Sequence, residues 1–310
     1  MPLIVTGTVG IDTIYTPAEH REGVLGGSCT YFAVAASFHA PVRIVAAVGD
    51  DLPNEHLQFL RRFERIDATG LEIRRGARTF RWGGRYSANM NSRETLFTDL
   101  GVLEDMPPPV PDAYRDSRYI FLANTHPAVQ LDFLASFPNR RFVVADTMDL
   151  WIRTARDELV ELIRRVDGLV LNYDEAELFT GRTNTVAAAR RLLDLGLRFV
   201  VVKKGEHGCL FVHRDGVAAL PAFPTEHVVD PTGAGDSFAG GMMGSIAADD
   251  ARTPSSDEGV SYRVIRRGLA HGSVFASFTI EAFSLDRLRV LTPAEVAVRY
   301  QEYVRMVELG

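Results

Sequence analysis

The chain has 310 residues, 46% hydrophobic and 24% charged, and a formal net charge of −6. That composition is ordinary for a globular protein, and the acidic balance argues against a dedicated nucleic-acid binder, which normally shows a basic face. The length prior suggests about two domains, but one α/β domain can take a whole chain of this size, and a single domain over 1–310 is the expectation.

Leu3–Thr6 is a short apolar run ending at Gly7, the pattern of a buried strand. Ser28–His39 opens on a serine and is rich in alanine, which predicts a closely packed helix. Val42–Val48 predicts the next strand and Asn54–Arg62 a helix. From Ile73 to Asp99 apolar and polar residues alternate around Gly83-Gly84, a hairpin signal with one wet face. Ile14–Val24 is also poor in helical pattern, so residues 13–25 and 73–100 are expected to pair as a small antiparallel sheet projecting from the core.

After the proline-rich connector Met106–Pro111, four short apolar strands follow: Tyr119–Ala123, Phe142–Ala145, Gly168–Leu171 and Phe199–Val202. Helical patterns separate them, including Asp174–Thr180 and Thr183–Leu195 before the last. This alternation implies an α/β fold, a mostly parallel central sheet sandwiched by helices. Cys209–His213 and Val217–Leu220 flank Asp215-Gly216 as a hairpin at the sheet edge. Asp236–Ala248, Val260–Phe278 and Pro293–Val307 read as helices, and 255–259 as a polar loop.

The most informative stretch is Asp230-Pro231-Thr232-Gly233-Ala234-Gly235-Asp236, continuing into an Ala/Gly-rich helical pattern. Gly233 and Gly235 let the backbone turn tightly and approach a ligand. The first amides of a helix lack intrahelical partners and carry partial positive charge, so the loop suits an anion, most often phosphate. A carboxylate beside such a site is repelled unless it has a task, such as taking a proton from an attacking hydroxyl. In open α/β sheets ligands bind beyond the carboxyl ends of the strands, where Asp12 is placed to accept hydrogen bonds from sugar hydroxyls or to cap a turn. Gly26-Gly27 reads as a plain turn or as a hinge for the projecting sheet.

Together, Asp12, Gly26-Gly27, Val48-Gly49-Asp50-Asp51, Asn172-Tyr173-Asp174-Glu175, Lys204-Gly205-Glu206-His207-Gly208 and the run around Asp236 resemble the ribokinase-like (PfkB) carbohydrate and nucleoside kinase family, in the family's order. The resemblance implies a ribokinase-like fold with a small β lid over the acceptor and transfer of the γ-phosphoryl of ATP to a hydroxyl, usually a primary CH2OH. It implies Asp236 as base, and the amides of Gly233, Ala234 and Gly235 as the anion hole. Asn172 and Glu175 match a motif that positions Mg²⁺ through its water shell; capping a helix start is their other reading. Asp12, Gly26 and Gly27 would contact the acceptor. Thr232, Gly205 and Gly208 would lie by the nucleotide, with Ala276 and Phe278 lining an adenine pocket.

Two departures bear on the acceptor. Tyr31 stands where sugar-specific relatives often carry asparagine, and the lid segment is aromatic, with Phe80, Trp82 and Tyr86. Those rings either stack on a nucleobase or sugar face or pack the lid's own core. A sugar acceptor is the first reading. A nucleoside, or a relative that binds without catalysing, is the alternative. Lys203, in place of a hydroxyl residue, either faces the donor phosphates or extends to solvent.

Other signals are missing. Gly-x-x-x-x-Gly-Lys-Ser/Thr, a dinucleotide fingerprint after the first strand, a paired-histidine metal spacing and a Gly-x-Ser-x-Gly elbow are all absent. No run reaches the roughly 18 apolar residues of a membrane span, and the N-terminus lacks the pattern of a signal peptide. Cys29 and Cys209 read as packing residues, consistent with the cytoplasm. The family's lids often pair edge to edge, which implies a possible homodimer.

Overall fold

The computed structural model describes residues 2–252 and 259–308, so all of the expected polar loop except Gly259 lies outside the described residues. Its strands are β1 (Leu3–Thr6), β2 (Gly10–Tyr15), β3 (His20–Gly26), β4 (Val42–Gly49), β5 (Ile66–Arg74), β6 (Phe80–Tyr86), β7 (Arg93–Asp99), β8 (Tyr119–Leu122), β9 (Phe142–Asp146), β10 (Gly168–Asn172), β11 (Phe199–Lys203), β12 (Cys209–His213) and β13 (Gly216–Leu220). Nine of them form one sheet in the order β13-β12-β11-β10-β9-β8-β1-β4-β5. The seven from β11 to β5 run parallel, and β12 and β13 add the antiparallel edge hairpin read from the sequence.

Burial on both faces explains why these strands read as unbroken apolar runs. Successive side chains point to opposite faces. In β9, Phe142 and Val144 enter one core while Val143 and Ala145 enter the other. The first core is closed by the helices Ser28–Ser37, Ala234–Arg252, Tyr262–Thr279 and Pro293–Val307. All ten residues of the Ser28–Ser37 helix are buried. Small residues allow this: a Cβ on Gly240 would come 2.3 Å from the Phe32 carbonyl oxygen, so the two helices meet almost backbone to backbone.

The lid is a four-stranded sheet, β3-β2-β6-β7. Its β2–β3 and β6–β7 pairs are antiparallel, and a parallel β2–β6 pair joins them. Two expectations need correction. Ile73 and Arg74 end β5 of the large sheet, a strand the sequence reading did not identify, because its Asp, Thr, Gly and Glu residues break the apolar run. Gly83-Gly84 is not a hairpin turn but the middle of β6. The chain reverses between Ser87 and Ser92, where Ser87 N donates to Ser92 O at 2.9 Å. The glycines answer to packing. A Cβ on Gly83 would meet the Phe97 ring at 2.2 Å, and one on Gly84 the Trp82 ring at 2.1 Å. Among the described residues no helix is long and apolar enough to cross a membrane.

Candidate active site

Three neighbouring parallel strands end on polar groups at the same edge: β9 on Asp146, β10 on Asn172 and β11 on Lys203. Register aligns Asn172 with Lys203 across β10–β11. The helix Ala234–Arg252 begins beside them, with Asp236 in its first turn. A cleft of about 1510 Å³ is lined by Asp146, Asn172, Glu175, Lys203, Gly205, Gly208, Gly233, Ala234, Gly235, Asp236 and Ala276, and by Tyr86 and Arg93 from the lid.

Gly233 has φ 74°, a left-handed conformation that disfavours any side chain, and a Cβ there would strike the Tyr31 ring at 2.4 Å. Tyr31 is thus the floor under the loop, 1% exposed, rather than part of the cleft wall. Ala234 N donates to Pro231 O at 3.2 Å, so its amide closes the turn and is not presented to an anion as expected. Among the described residues Gly233 and Gly235 give their amides to no such neighbour. Thr232 does not line the cleft. It is buried, its N donates to Asp230 Oδ1 at 2.9 Å, and its hydroxyl pairs with that of Tyr86 at 3.0 Å, joining the loop to the lid.

Asn172 and Glu175 form a reciprocal capping box: Asn172 N donates to Glu175 Oε2 at 2.7 Å and Glu175 N to Asn172 Oδ1 at 2.8 Å. The helix-cap reading is therefore present in the fold, and the same cap holds the Glu175 carboxyl in the cleft wall. Burial, then the Asp146 charge, pushes the Glu175 carboxyl up to about 7, against the pull of Lys203. Burial and Asp146 likewise push Asp236 up to about 7, opposed by Lys203 and Arg93. Asp146 is itself raised by burial, which Lys203 counteracts from 3.5 Å. Three carboxyls thus share one ammonium, an excess of negative charge that a cation would relieve. Among the described residues no three His, Cys, Asp or Glu side chains are grouped to hold a metal directly. The donor set fits a hydrated Mg²⁺ held through water rather than a dry metal cage.

Asp12 lies on β2, 3% exposed, against Gly26, where a Cβ would come 1.9 Å from its Oδ2; Asp12, Gly26 and Gly27, expected at the acceptor, lie behind the residues that line the cleft. Burial, with the charges of Asp230 and Asp236, pushes its carboxyl up to about 8. Gly27, φ 97°, passes so close to Thr8 that a Cβ would lie 2.3 Å from its carbonyl oxygen, so this glycine is a close-approach residue preceding the Ser28–Ser37 helix. Trp82 and Phe278 do not reach the cleft. Trp82 packs with Ile14 and Tyr86 of the lid against Phe283, which follows the Tyr262–Thr279 helix. Phe278, 1% exposed, is covered by the Arg299 guanidinium 3.5 Å from its ring centroid. An apolar helix stripe is usually core, and here the Tyr262–Thr279 helix turns Ala276 outward and Phe278 inward.

The sequence reading missed Asp146 and Arg93. Asp146 was legible only as the polar residue that ends an apolar strand, whereas Asn172 was found through its motif with Glu175. Arg93 opens the lid strand β7, whose sequence carries no local signature. Its guanidinium sits 5.2 Å from the Trp82 ring centroid, and its charge reaches Asp12, Glu175 and Asp236.

Known proteins resemble this arrangement. The profile of the pfkB family carbohydrate kinases matches residues 135–281. A cytidine kinase of Thermococcus kodakarensis is 32% identical over 250 residues, covering 78% of this chain and 87% of that one. The nucleoside kinase of Methanocaldococcus jannaschii superposes with a TM-score of 0.74 at 19% identity, covering 97% of this chain and 98% of its own. An E. coli putative ribokinase II in complex with ATP and Mg²⁺ superposes with a TM-score of 0.73 at 15% identity, covering 97% and 99%. Its sequence identity along most of the chain makes this protein a member of the PfkB family of carbohydrate and nucleoside kinases.

Proposed function

We propose that the protein transfers the γ-phosphoryl group of ATP to the primary hydroxyl of a nucleoside, with a free sugar as the second acceptor class. The observation that carries this reading is the Asp236 carboxyl in the first turn of a helix whose leading glycines face the same cleft. The relative that is 32% identical is named for cytidine, which favours the nucleoside.

The acceptor oxygen attacks the γ-phosphorus in line and its proton passes to Asp236. The bond from phosphorus to the β–γ bridging oxygen breaks, and ADP leaves. A carboxyl near 7 is matched to this work, since a base is most effective when its pKa lies near the working pH. The amides of Gly233 and Gly235 hold the migrating group, and one such donor is worth ~10²–10³ in rate. Asp12 orients the acceptor under the lid, whose closure excludes water. Ala222, Phe223, Val228 and Ala276 give the cleft an apolar wall suited to the adenine, with Gly205 and Gly208 letting the adjoining loop approach the nucleotide. Asn172, Glu175 and Asp146 would hold Mg²⁺ through its waters; when bound it neutralises phosphate charge.

Two further points belong to this reading. The buried thiols Cys29 and Cys209 suit a reducing cytoplasm. The β7 edge of the lid, with Leu96 37% and Phe97 44% exposed, suits edge-to-edge pairing of two copies, which light scattering would detect.

Asp236→Asn, assayed with ATP against cytidine, other nucleosides and sugars, tests the assignment. Turnover should fall ~10²–10⁴-fold; retention within a few-fold would remove Asp236 as the base.

A further inference from the structure

We infer that Lys203 is a catalytic cation for the transferring phosphoryl group, parked on Asp146 in the free enzyme and taken over by the donor's terminal phosphate. This rests on the phosphotransfer reading above and goes further in naming the group and the phosphate it serves.

The geometry begins with the two glycines of the loop. Gly233 is required by its left-handed φ and by the Tyr31 ring. Gly235 has no such backbone requirement. What a side chain there would meet is Lys203: a Cβ would come 2.8 Å from Nζ. The absence of a side chain at Gly235 thus makes room for an ammonium directly beside the amides that face the anion. Lys203 does not extend to solvent, since its side chain is only 19% exposed.

Its partner is not a lock. Nζ lies 3.5 Å from Asp146 Oδ2, longer than the 2.7–2.9 Å typical of a charge-assisted hydrogen bond. A lysine ammonium is a compact point charge on a flexible stem, so it can turn from a carboxylate to a phosphate with little movement. It also stays charged: burial opposes the charge, but Asp146, Glu175 and Asp236 outweigh that and hold Lys203 above its ordinary range. A buried ion pair of this kind contributes little to stability, so a role in holding the fold is a weak explanation for it. On donor binding the ammonium faces the terminal phosphate beside Gly235, where charge accumulates as the bond to ADP breaks.

The experiment compares wild type, Lys203→Met, Asp146→Asn and the double variant, with Asp236→Asn as the control for the underlying reading. If wild type shows no phosphotransfer, or Asp236→Asn matches it, the phosphotransfer reading fails irrespective of Lys203. Where that control behaves, Lys203→Met should lower kcat ~10²–10³-fold, the scale of one oxyanion donor. It should leave calorimetric affinity for ADP within twofold while weakening a non-hydrolysable ATP analogue. The acid limb of kcat/KM should also move to higher pH, because Lys203 holds the Asp236 carboxyl down. If Lys203 served only to neutralise Asp146, the double variant would be no slower than Asp146→Asn alone; a catalytic Lys203 leaves it slower than Asp146→Asn by about the factor that Lys203→Met costs wild type. A Lys203→Met kcat within threefold of wild type, a double variant as fast as Asp146→Asn alone, or equal loss of ADP and ATP-analogue affinity would each overturn the proposal. Thermal unfolding of each variant confirms that the compared proteins are folded.

Discussion

Asn91, at the tip of the lid turn, donates through Nδ2 to Glu206 Oε1 at 3.0 Å, across 115 residues of sequence. The bond ties the lid to the Gly205–His207 turn, the loop assigned to the donor. The lid and the loop proposed to hold the donor therefore touch through this exposed contact. Breaking it with Asn91→Ala should cost little stability, within about 0.5 kcal/mol as for most surface changes. It should raise KM for the acceptor several-fold and increase ADP release in the absence of acceptor, since an open lid admits water. Equal uncoupled hydrolysis in variant and wild type would show that this contact does not hold the lid.

The pH profile follows from the charge crowding in the cleft. As the proposed base, Asp236 must be ionised to accept a proton, and burial with Asp146 pushes its carboxyl up to about 7. Activity measured as kcat/KM should therefore fall as pH drops through about 7, where an exposed aspartate would hold its activity to near pH 4. Arg93 pulls Asp236 and Asp12 downward from the lid. Arg93→Met should move the limb to higher pH without unfolding the protein. An unmoved limb would show that the lid charge does not reach the base.

The large sheet was readable because strands buried on both faces leave continuous apolar runs, and because each ends abruptly on a glycine or polar residue. β5 was not, since Asp67, Thr69, Gly70 and Glu72 interrupt its pattern on a partly exposed edge strand. The Asp236 loop was legible because its backbone demands are written as glycines. Phe278 was expected in an adenine pocket and Trp82 was left open between acceptor and packing; both are packed for one reason: sequence gives a ring's chemistry, while the neighbouring helix or strand decides which way it points. Gly83-Gly84 failed similarly, since glycine marks either a reversal or a place where a ring lies on the backbone, and only the partner strand's Phe97 and the nearby Trp82 distinguish them.

The two loop glycines should respond differently to one methyl group. Gly233→Ala puts a side chain at φ 74° and into the Tyr31 ring. The conformational part alone costs ~1–2 kcal/mol, and the buried ring has no room to retreat, so thermal unfolding should shift down markedly. Gly235→Ala meets only the flexible end of Lys203. It should fold with nearly wild-type stability yet lose activity by displacing the ammonium. Comparable stability loss in both variants would contradict the packing described here.

A second pH effect lies far from the cleft. His39 and His271 meet edge to face at 4.4 Å between ring centroids, and His271 stacks on Tyr300 at 3.9 Å. Among the described residues, His39 Nε2 and His271 Nδ1 are buried without hydrogen-bond partners. Burial, with Arg65 outweighing Asp249, lowers His39 to about 4, and burial with His39 and Arg267 lowers His271 to about 3. Both rings are neutral in the fold, while the unfolded chain binds their protons near 6.5. Their contribution to stability is therefore complete above pH 6.5 and is lost as pH falls, until the folded rings protonate near 4 and 3. Glu175 and Asp236, raised to about 7, have the opposite sign: they stabilise at low pH and lose that contribution as pH rises through 7. The wild-type slope mixes the two, so the informative quantity is a difference. His271→Phe keeps a ring on Tyr300 and removes one titrating group. Between pH 6 and pH 4.5 its unfolding free energy, from urea titration, should fall by about 1.4 kcal/mol per pH unit less than that of wild type. Parallel slopes would mean that His271 is not held neutral by its burial.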